Sequence, residues 1–371
     1  MIYDGHAYCI PDQRGNGGFE NRSEFQRLLQ YCMAHHFAPA LRAKDRALGD
    51  SSALADLSQS FSLDAIKEAK FRAAENGRFE WEVDGEVYFK QVMPPLITDM
   101  FYSAEMLIAE MDYAGVDRAL LHRSPYLGID NEFIADCCRQ FPNRLQGLAY
   151  VREWLIHKDP ESAANLVEKL INQLGLSGLH ILPHFASVYG VHEDWDSARY
   201  QVFWDEFVKL DVPLFVTLIA HERKTVEEYL EQLRILTRWV ERYPTSRIVL
   251  THGFDWMRFL DGNVLSIPNE VYDCTPCDHE YFFVQFLPAV FLGKVFDYPM
   301  LEAKPTLEQM VDKIGLDRLL WGTDIPILMR YTTYRQSLDQ IRIHCEDIFG
   351  AKGLSQVLGS NMGKLMSVAE D

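Results

Sequence analysis

The stretch Asp317-Arg318-Leu319-Leu320-Trp321-Gly322-Thr323-Asp324-Ile325-Pro326 decides how the chain is read. An apolar run of strand length stops at Gly-Thr-Asp, and a proline follows directly behind. Strand propensity ends there, so Asp324 is expected at the carboxyl end of a buried strand. A carboxylate in that place is costly unless it is paired, hydrogen-bonded or bound to a metal. The competing reading of the local sequence is a helix N-cap aspartate. A second segment of the same construction weighs against it. Arg247-Ile248-Val249-Leu250-Thr251-His252-Gly253 is another apolar run that delivers a titratable residue just before glycine. Two strands presenting His252 and Asp324 at their ends point to one shared site.

Composition sets the frame for that site. A chain of 371 residues, 48% hydrophobic and 12% aromatic, can bury a large core as two ordinary domains or as one α/β barrel with insertions. The formal net charge of −18 argues against binding nucleic acid or anionic membrane through a general field. A small anionic substrate then needs a local cluster of arginines. The start of the sequence has no basic region followed by an apolar core, so no signal peptide is expected. No apolar run approaches the ~18 residues of a membrane span. Seven scattered cysteines do not make a disulfide framework, and a cytoplasmic location is the expectation.

Along the chain, Ile2 to Ile10 reads as a first strand whose alternation puts Asp4, His6 and Tyr8 on one side. Helices are expected at Phe25 to Ala38 and at Leu63 to Ala74. Arg78 to Gln91, with aromatics alternating around Asp84-Gly85, reads as a hairpin. Residues 11–98 are therefore an insertion, a cap or an oligomer contact within a single domain spanning 1–371. From Ser103 the pattern becomes a regular strand–helix alternation. Strands are expected near residues 119, 147, 178, 214, 248 and 319, and an eighth at Tyr281 to Phe286. This fits an open doubly wound sheet or a (β/α)8 barrel, and polar residues gathered at strand ends favour the barrel. No Gly-x-Gly-x-x-Gly follows a strand, which removes the dinucleotide-binding version.

Several short motifs, in order, resemble the amidohydrolase superfamily in its amidohydrolase-related branch. They are Met111-Asp-Tyr-Ala-Gly-Val-Asp-Arg-Ala-Leu, Phe141-Pro-Asn-Arg-Leu-Gln-Gly-Leu-Ala, Leu250-Thr-His-Gly, Leu319-Leu-Trp-Gly-Thr-Asp-Ile-Pro and Leu358-Gly-Ser-Asn361. The branch includes aminocarboxymuconate-semialdehyde and γ-resorcylate decarboxylases together with lactone and amide hydrolases. The resemblance implies a first strand carrying Asp-x-His-x-His, a fifth-strand histidine, a sixth-strand histidine and an eighth-strand aspartate around a divalent metal. Matched position by position, His6 is the first metal histidine, His252 the sixth-strand histidine and Asp324 the aspartate. Tyr8 and Thr217 stand where the second and the fifth-strand histidines belong. A phenol and an aliphatic hydroxyl are poor zinc ligands. Two states are therefore carried forward: a divalent metal, zinc before manganese or iron, or a metal-free site.

The fourth strand, read as Ser177 to His184, puts His180 and His184 on one face. His184 offers a way to rebuild the ligand set as His6, His184 and Asp324, with the bland alternative that it only hydrogen-bonds in a loop. Candidate substrate contacts are Tyr8, Arg14, Arg123, Arg152, His180 and Thr217. The arginines follow strands or sit in the first loop, where a guanidinium can hold a carboxylate bidentately. Trp154, Trp195 and Trp256 are candidate walls for a flat ring. Cys274-Thr-Pro-Cys277 has no second pair at zinc-finger spacing and reads as incidental.

The expectation is a hydrolase of a small, cyclic or aromatic, carboxylated ester, lactone or amide. In it Asp324 is the general base and His252 polarises the carbonyl. The alternatives are a non-oxidative decarboxylase and a barrel that has lost catalysis and only binds. A small-molecule substrate and a homo-oligomer are expected.

Overall fold

The structure, a computed structural model, describes residues 1–59 and 61–367. Its frame is a run of parallel strands that alternate with helices. In chain order they are β1 (Tyr3–Ala7), β2 (Arg118–Leu121), β3 (Leu145–Gly147 continued by Ala149–Tyr150), β4 (Leu179–Ile181), β5 (Leu214–Thr217), β6 (Ile248–Thr251), β7 (Phe282–Phe286) and β8 (Leu319–Trp321). Each pairs in parallel with its neighbour in sequence, from β1–β2 through to β7–β8. The strand β3 is broken at Leu148, so its first part pairs with β2 and its second with β4. Beyond β8 the backbone returns to β1. Asp324 N–H donates to the His6 carbonyl at 2.8 Å, and Tyr8 N–H donates to the Ile325 carbonyl at 2.8 Å.

Alternation along these strands separates two layers. Tyr3, Leu120, Leu148, Phe215, Val249 and Leu320 form one buried apolar cluster, closed at the amino-terminal end by Met362 and Leu365. Two residues further along, the same faces deliver His122, Tyr150, Thr217 and Thr251. Apolar packing thus fills one end, and polar groups collect at the other.

The outer helices follow from their caps and stripes. Val226–Arg242 starts with a capping box: Thr225 Oγ1 accepts from Glu228 N–H, and the Glu228 carboxylate accepts from Thr225 N–H. It buries Tyr229, Leu233, Leu236 and Val240, a helical stripe. Ala104–Ala114 stops at Gly115, whose φ of +81° suits glycine at a helix end.

Between β1 and β2 the chain holds the helix Arg22–His35 and a four-stranded antiparallel sheet. The hairpin is Arg78–Val83 with Glu86–Gln91, turning at Asp84 and Gly85, both at positive φ. Leu63 to Ala74 is not a helix. Only Leu63–Ala65 makes a short turn, Lys70 sits at positive φ, and Arg72–Ala73 pairs with the hairpin. Pairing with a ready sheet edge outweighs the local helix propensity of Ala, Glu and Lys. The fourth strand is also shorter than its sequence suggests. It ends at Ile181, and His184 opens a short helix, His184–Val188, so His180 and His184 do not share a strand face. No helix among the described residues is long and apolar enough to cross a membrane.

Candidate active site

His6, His252 and Asp324 converge where β1, β6 and β8 end. One ligand atom from each lies within 4.8 Å of the others. Asp324 Oδ1 is 3.4 Å from His6 Nε2 and 3.6 Å from His252 Nε2. Two backbone features create this closeness. His252 and Asp324 both take left-handed φ, +65° and +66°, which turns their side chains off the strand line. Non-glycine residues hold such angles only where their surroundings enforce them. Behind His252, a Cβ on Gly253 would meet the Gln285 carbonyl oxygen at 2.2 Å. Behind His6, a Cβ on Gly322 would meet the His6 Cβ at 2.8 Å. Both glycines are required by close approach.

Gln285, on β7, sets the chemistry of the cluster. Its amide N–H donates to the Gly5 carbonyl at 2.6 Å, so its oxygen faces His6. That oxygen accepts from His6 Nδ1 at 3.0 Å and from His252 N–H at 3.3 Å. A proton fixed on Nδ1 leaves the Nε2 lone pair directed at Asp324 and the Tyr8 hydroxyl, which is 3.0 Å away. Burial, then the neighbouring His122 and His252, hold the His6 imidazole well below its usual pKa, so it stays neutral. His6 is stacked between the rings of His122 and His252, with centroids at 3.7 and 4.4 Å. A neutral imidazole with an oriented lone pair, a second imidazole and a carboxylate form a donor set that can hold a divalent metal.

Asp4 carries the surrounding frame. Its carboxyl accepts from His6 N–H at 2.9 Å, Thr323 Oγ1 at 2.5 Å and Tyr334 Oη at 2.8 Å. Burial pushes it up to about 7 against the pull of these bonds. Neither Gln285, His122 nor the Asp4 network stands out in the sequence. The signal is weak: a lone polar residue inside the apolar strand Phe282–Phe286, and a histidine directly after β2.

Above the cluster lies a cavity lined by Tyr8, Ser124, His184, Thr217, His252 and Asp324. Its walls include Met33, Phe37, Tyr126, Leu182, Phe185, Ile219, Val290 and Phe291. Burial and then Asp324 push the Tyr8 phenol well above its usual pKa, so it remains an O–H donor.

The expected residues divide into three groups. Tyr8, Thr217, His252 and Asp324 line the cavity, with His6 buried beneath them. His184 lines it too, but it is outside the group of close ligand atoms, and His252 takes the third place expected for it. The end of β4 at Ile181 explains this, since the turn before His184 carries it up the wall. His180 lies under the cavity, where its Nε2 bonds Thr217 Oγ1 at 2.9 Å and its Nδ1 accepts from Arg123 N–H. Burial, then His252, pulls it down to about 3. It supports Thr217 rather than facing a ligand.

The three arginines also lie outside the cavity lining. Arg14 is held on the surface by Asp12 and the Asp99 carbonyl. Arg152 packs on Phe19 and pairs loosely with Glu20. Arg123 is fully buried, with a guanidinium that has no hydrogen-bond partner among the described residues. Trp154, Trp195 and Trp256 are core residues, and the aromatic walls come from Phe37, Tyr126, Phe185 and Phe291 instead. Arg330, which follows β8, lines the cavity.

Comparison with known proteins agrees with this architecture. No curated sequence matches the chain. Among solved structures, a probable 2-pyrone-4,6-dicarboxylic acid hydrolase from Acinetobacter baumannii with citric acid bound superposes with a TM-score of 0.53 and 16% identity. The match covers 72% of this chain and 90% of that one. A 2,6-dihydroxybenzoate decarboxylase from Rhizobium gives 0.51 at 17%, covering 72% and 89%. A 5-carboxyvanillate decarboxylase from Novosphingobium aromaticivorans, complexed with manganese, gives 0.51 at 19%, covering 71% and 79%. At these identities the likeness is one of fold. A family model described as Amidohydrolase matches residues 33–344, most of the chain. The chain is an enzyme of the amidohydrolase family.

Proposed function

We propose that this enzyme is a metal-assisted, non-oxidative decarboxylase of a small aromatic or muconate-type acid, built on a closed (β/α)8 barrel. The observation that carries the reading is a donor cluster lying under apolar walls. His6, His252 and Asp324 form the floor, and Met33, Leu182, Phe185, Ile219, Val290 and Phe291 stand around it. A carboxylate entering such a cavity loses water that the walls cannot replace, whereas neutral carbon dioxide loses little. Both effects favour release of the carboxyl group.

His6, His252 and Asp324 would hold the divalent ion, zinc before manganese or iron, and when bound it supplies Lewis acidity toward the substrate's oxygens. Asp324 Oδ1 faces the two imidazoles, while Oδ2 accepts no hydrogen bond among the described residues. In this reading Oδ2 carries a proton to the ring carbon. The C–C electron pair is left on the ring as carbon dioxide departs, the ring then carries hydrogen in place of the carboxyl group, and water reprotonates Asp324. Tyr8 Oη, kept protonated, donates to the oxygen on which negative charge develops.

A second reading, hydrolysis of an ester or lactone, is favoured by that same Tyr8 hydroxyl, a ready oxyanion donor. There Asp324 takes a proton from water, the resulting hydroxyl adds to the carbonyl, and the acyl C–O bond breaks as Asp324 returns that proton to the departing oxygen. The inserted region 11–98 is proposed as a cap, since Met33, His36 and Phe37 line the cavity, within one 1–371 domain that forms homo-oligomers.

Manganese- or zinc-loaded protein in deuterated buffer, offered hydroxybenzoates, muconates and lactones, separates the readings. Carbon dioxide is expected, together with a product carrying one deuterium on the carbon that bore the carboxyl group. An acid product without carbon dioxide would replace decarboxylation by hydrolysis.

A further inference from the structure

The cavity opens past Phe37, the residue two beyond the inserted helix. The backbone leading to this ring is anchored. Lys90 is buried, and its ammonium donates to the Met33 carbonyl at 2.7 Å and to the His36 carbonyl at 2.6 Å. Two further cations stand over the ring. Lys294 Nζ lies 4.0 Å from the Phe37 centroid and the Arg330 guanidinium 5.6 Å from it. They come from the segments after β7 and after β8, so three separate parts of the chain meet at this point.

The charges there are unbalanced. Neither Lys294 nor Arg330 pairs with a carboxylate among the described residues. Asp255, which lines the adjoining recess with Lys294, is already held by Arg258 at 3.0 Å. Glu222 lines the cavity, with burial raising its pKa, and among the described residues it pairs with neither Lys294 nor Arg330. Arg223 and Lys224 add further positive charge to the same recess. Arg330 is also preorganised. Its Nε donates to the Ile327 carbonyl at 3.1 Å and its plane packs near Phe37 and Tyr331, while its two terminal nitrogens bond no partner among the described residues. A stacked guanidinium with open terminal nitrogens is suited to a bidentate oxyanion. In a chain of net charge −18, an unpaired cationic mouth is the local field that a small anion would need.

We infer that the substrate carries a second anionic oxyacid group, held at the mouth between Arg330 and Lys294 against Phe37, while its reacting carbon reaches the floor. The inference rests on the proposed floor chemistry only for which end reacts. The enzyme then acts on diacids, and the inserted region provides the platform that selects them.

Calorimetric titration of manganese-loaded protein with benzoate, isophthalate, terephthalate and 3-phosphonobenzoate tests this without turnover. The better of the two dicarboxylates is expected to bind at least ~10-fold more tightly than benzoate, as a charge-assisted contact allows. The gap should narrow to about twofold in Arg330→Gln and shrink in the more exposed Lys294→Gln. Preference for the phosphonate over the dicarboxylates would mark the group as phosphate-like and leave the subsite standing. Equal binding of benzoate and every two-anion probe, or a gap untouched in both variants, overturns the subsite, as does no binding by any probe. Failure of the decarboxylase reading looks different: no carbon dioxide is formed while the affinity gap persists.

Discussion

The floor and the mouth of the cavity are built in opposite ways. At the floor, His6, His252 and Asp324 stand at strand ends, and Gln285 satisfies both histidines at once. At the mouth, Phe37 lies just beyond the helix Arg22–His35, Lys294 in a turn after β7 and Arg330 at the end of the short 3-10 helix Ile327–Arg330, and the two cations have no counter-ion among the described residues. Groups that must hold one geometry are placed on strands and bonded from behind. Groups that choose among ligands are placed on connections, which tolerate change. The contrast predicts that damage at the floor abolishes chemistry, whereas damage at the mouth alters only what is accepted.

The largest effect is therefore expected from Asp324→Asn. It removes the carboxylate that faces both imidazoles and the proton carrier proposed for the reaction. Activity should fall on the order of 10³-fold, as for loss of a general acid or base. Bound metal, measured by elemental analysis, should fall with it. Retention of stoichiometric metal and activity in the variant would sever Asp324 from the floor.

A second effect, on stability, is expected near the cavity wall. Glu153 is buried. Its Oε1 accepts from Leu182 N–H at 2.7 Å, and its other oxygen bonds Tyr150 Oη. Burial pushes its pKa up to about 8, from an unfolded value near ~4.5. The folded state thus binds the proton more tightly than the unfolded state. Its contribution is fully present below about pH 4.5 and is lost as pH rises through about 8, on the order of a few kcal/mol in total. Glu153→Gln, which mimics the neutral acid, should flatten that part of the stability–pH curve. Chemical denaturation between pH 5 and 9 measures this, and an unchanged slope would show that Glu153 is ionised in the fold.

Floor positions that carry a motif are legible in the amino-acid sequence alone. Asp324 and His252 each end an apolar run at a glycine or proline, and the strand–helix alternation follows from the same punctuation. Gln285 is not legible, because one amide within Phe-Phe-Val-Gln-Phe carries no spacing signal until β1 and β6 are brought beside it. His184 misleads for a related reason. Two histidines four residues apart would share a strand face, but β4 stops after Ile181. At the mouth, Lys294 and Arg330 lie 36 residues apart in sequence and acquire meaning only over Phe37, which is more than 250 residues away.

Gln285 tests how far the floor depends on bonding from behind. Gln285→Leu keeps the shape but removes the oxygen that holds the His6 Nδ1 proton and the His252 backbone. Metal affinity should drop ~10- to 100-fold, the usual loss when a ligand's outer partner is removed. Titration of apo protein with manganese reads this directly. Unchanged affinity would mean that stacking between His122 and His252 alone orients His6.

The smallest effect should come from Phe37→Ala, and it is the sharpest test of the contrast. The ring is half-exposed and supplies no ligand atom to the floor, so metal content and kcat should stay close to those of the unaltered enzyme. What it removes is the surface over which Lys294 and Arg330 are ordered, a pair of cation–π contacts worth about 0.5–1 kcal/mol each at exposed sites. Less ordered cations pay more entropy to grip an anion, so KM for a diacid should rise roughly three- to tenfold. KM for a monoacid, which does not reach the mouth, should move much less. A fall in kcat of the same size for both substrates would mean that the insertion acts on the chemistry itself, by excluding water from the floor, and the division between floor and mouth would have to be redrawn around Phe37.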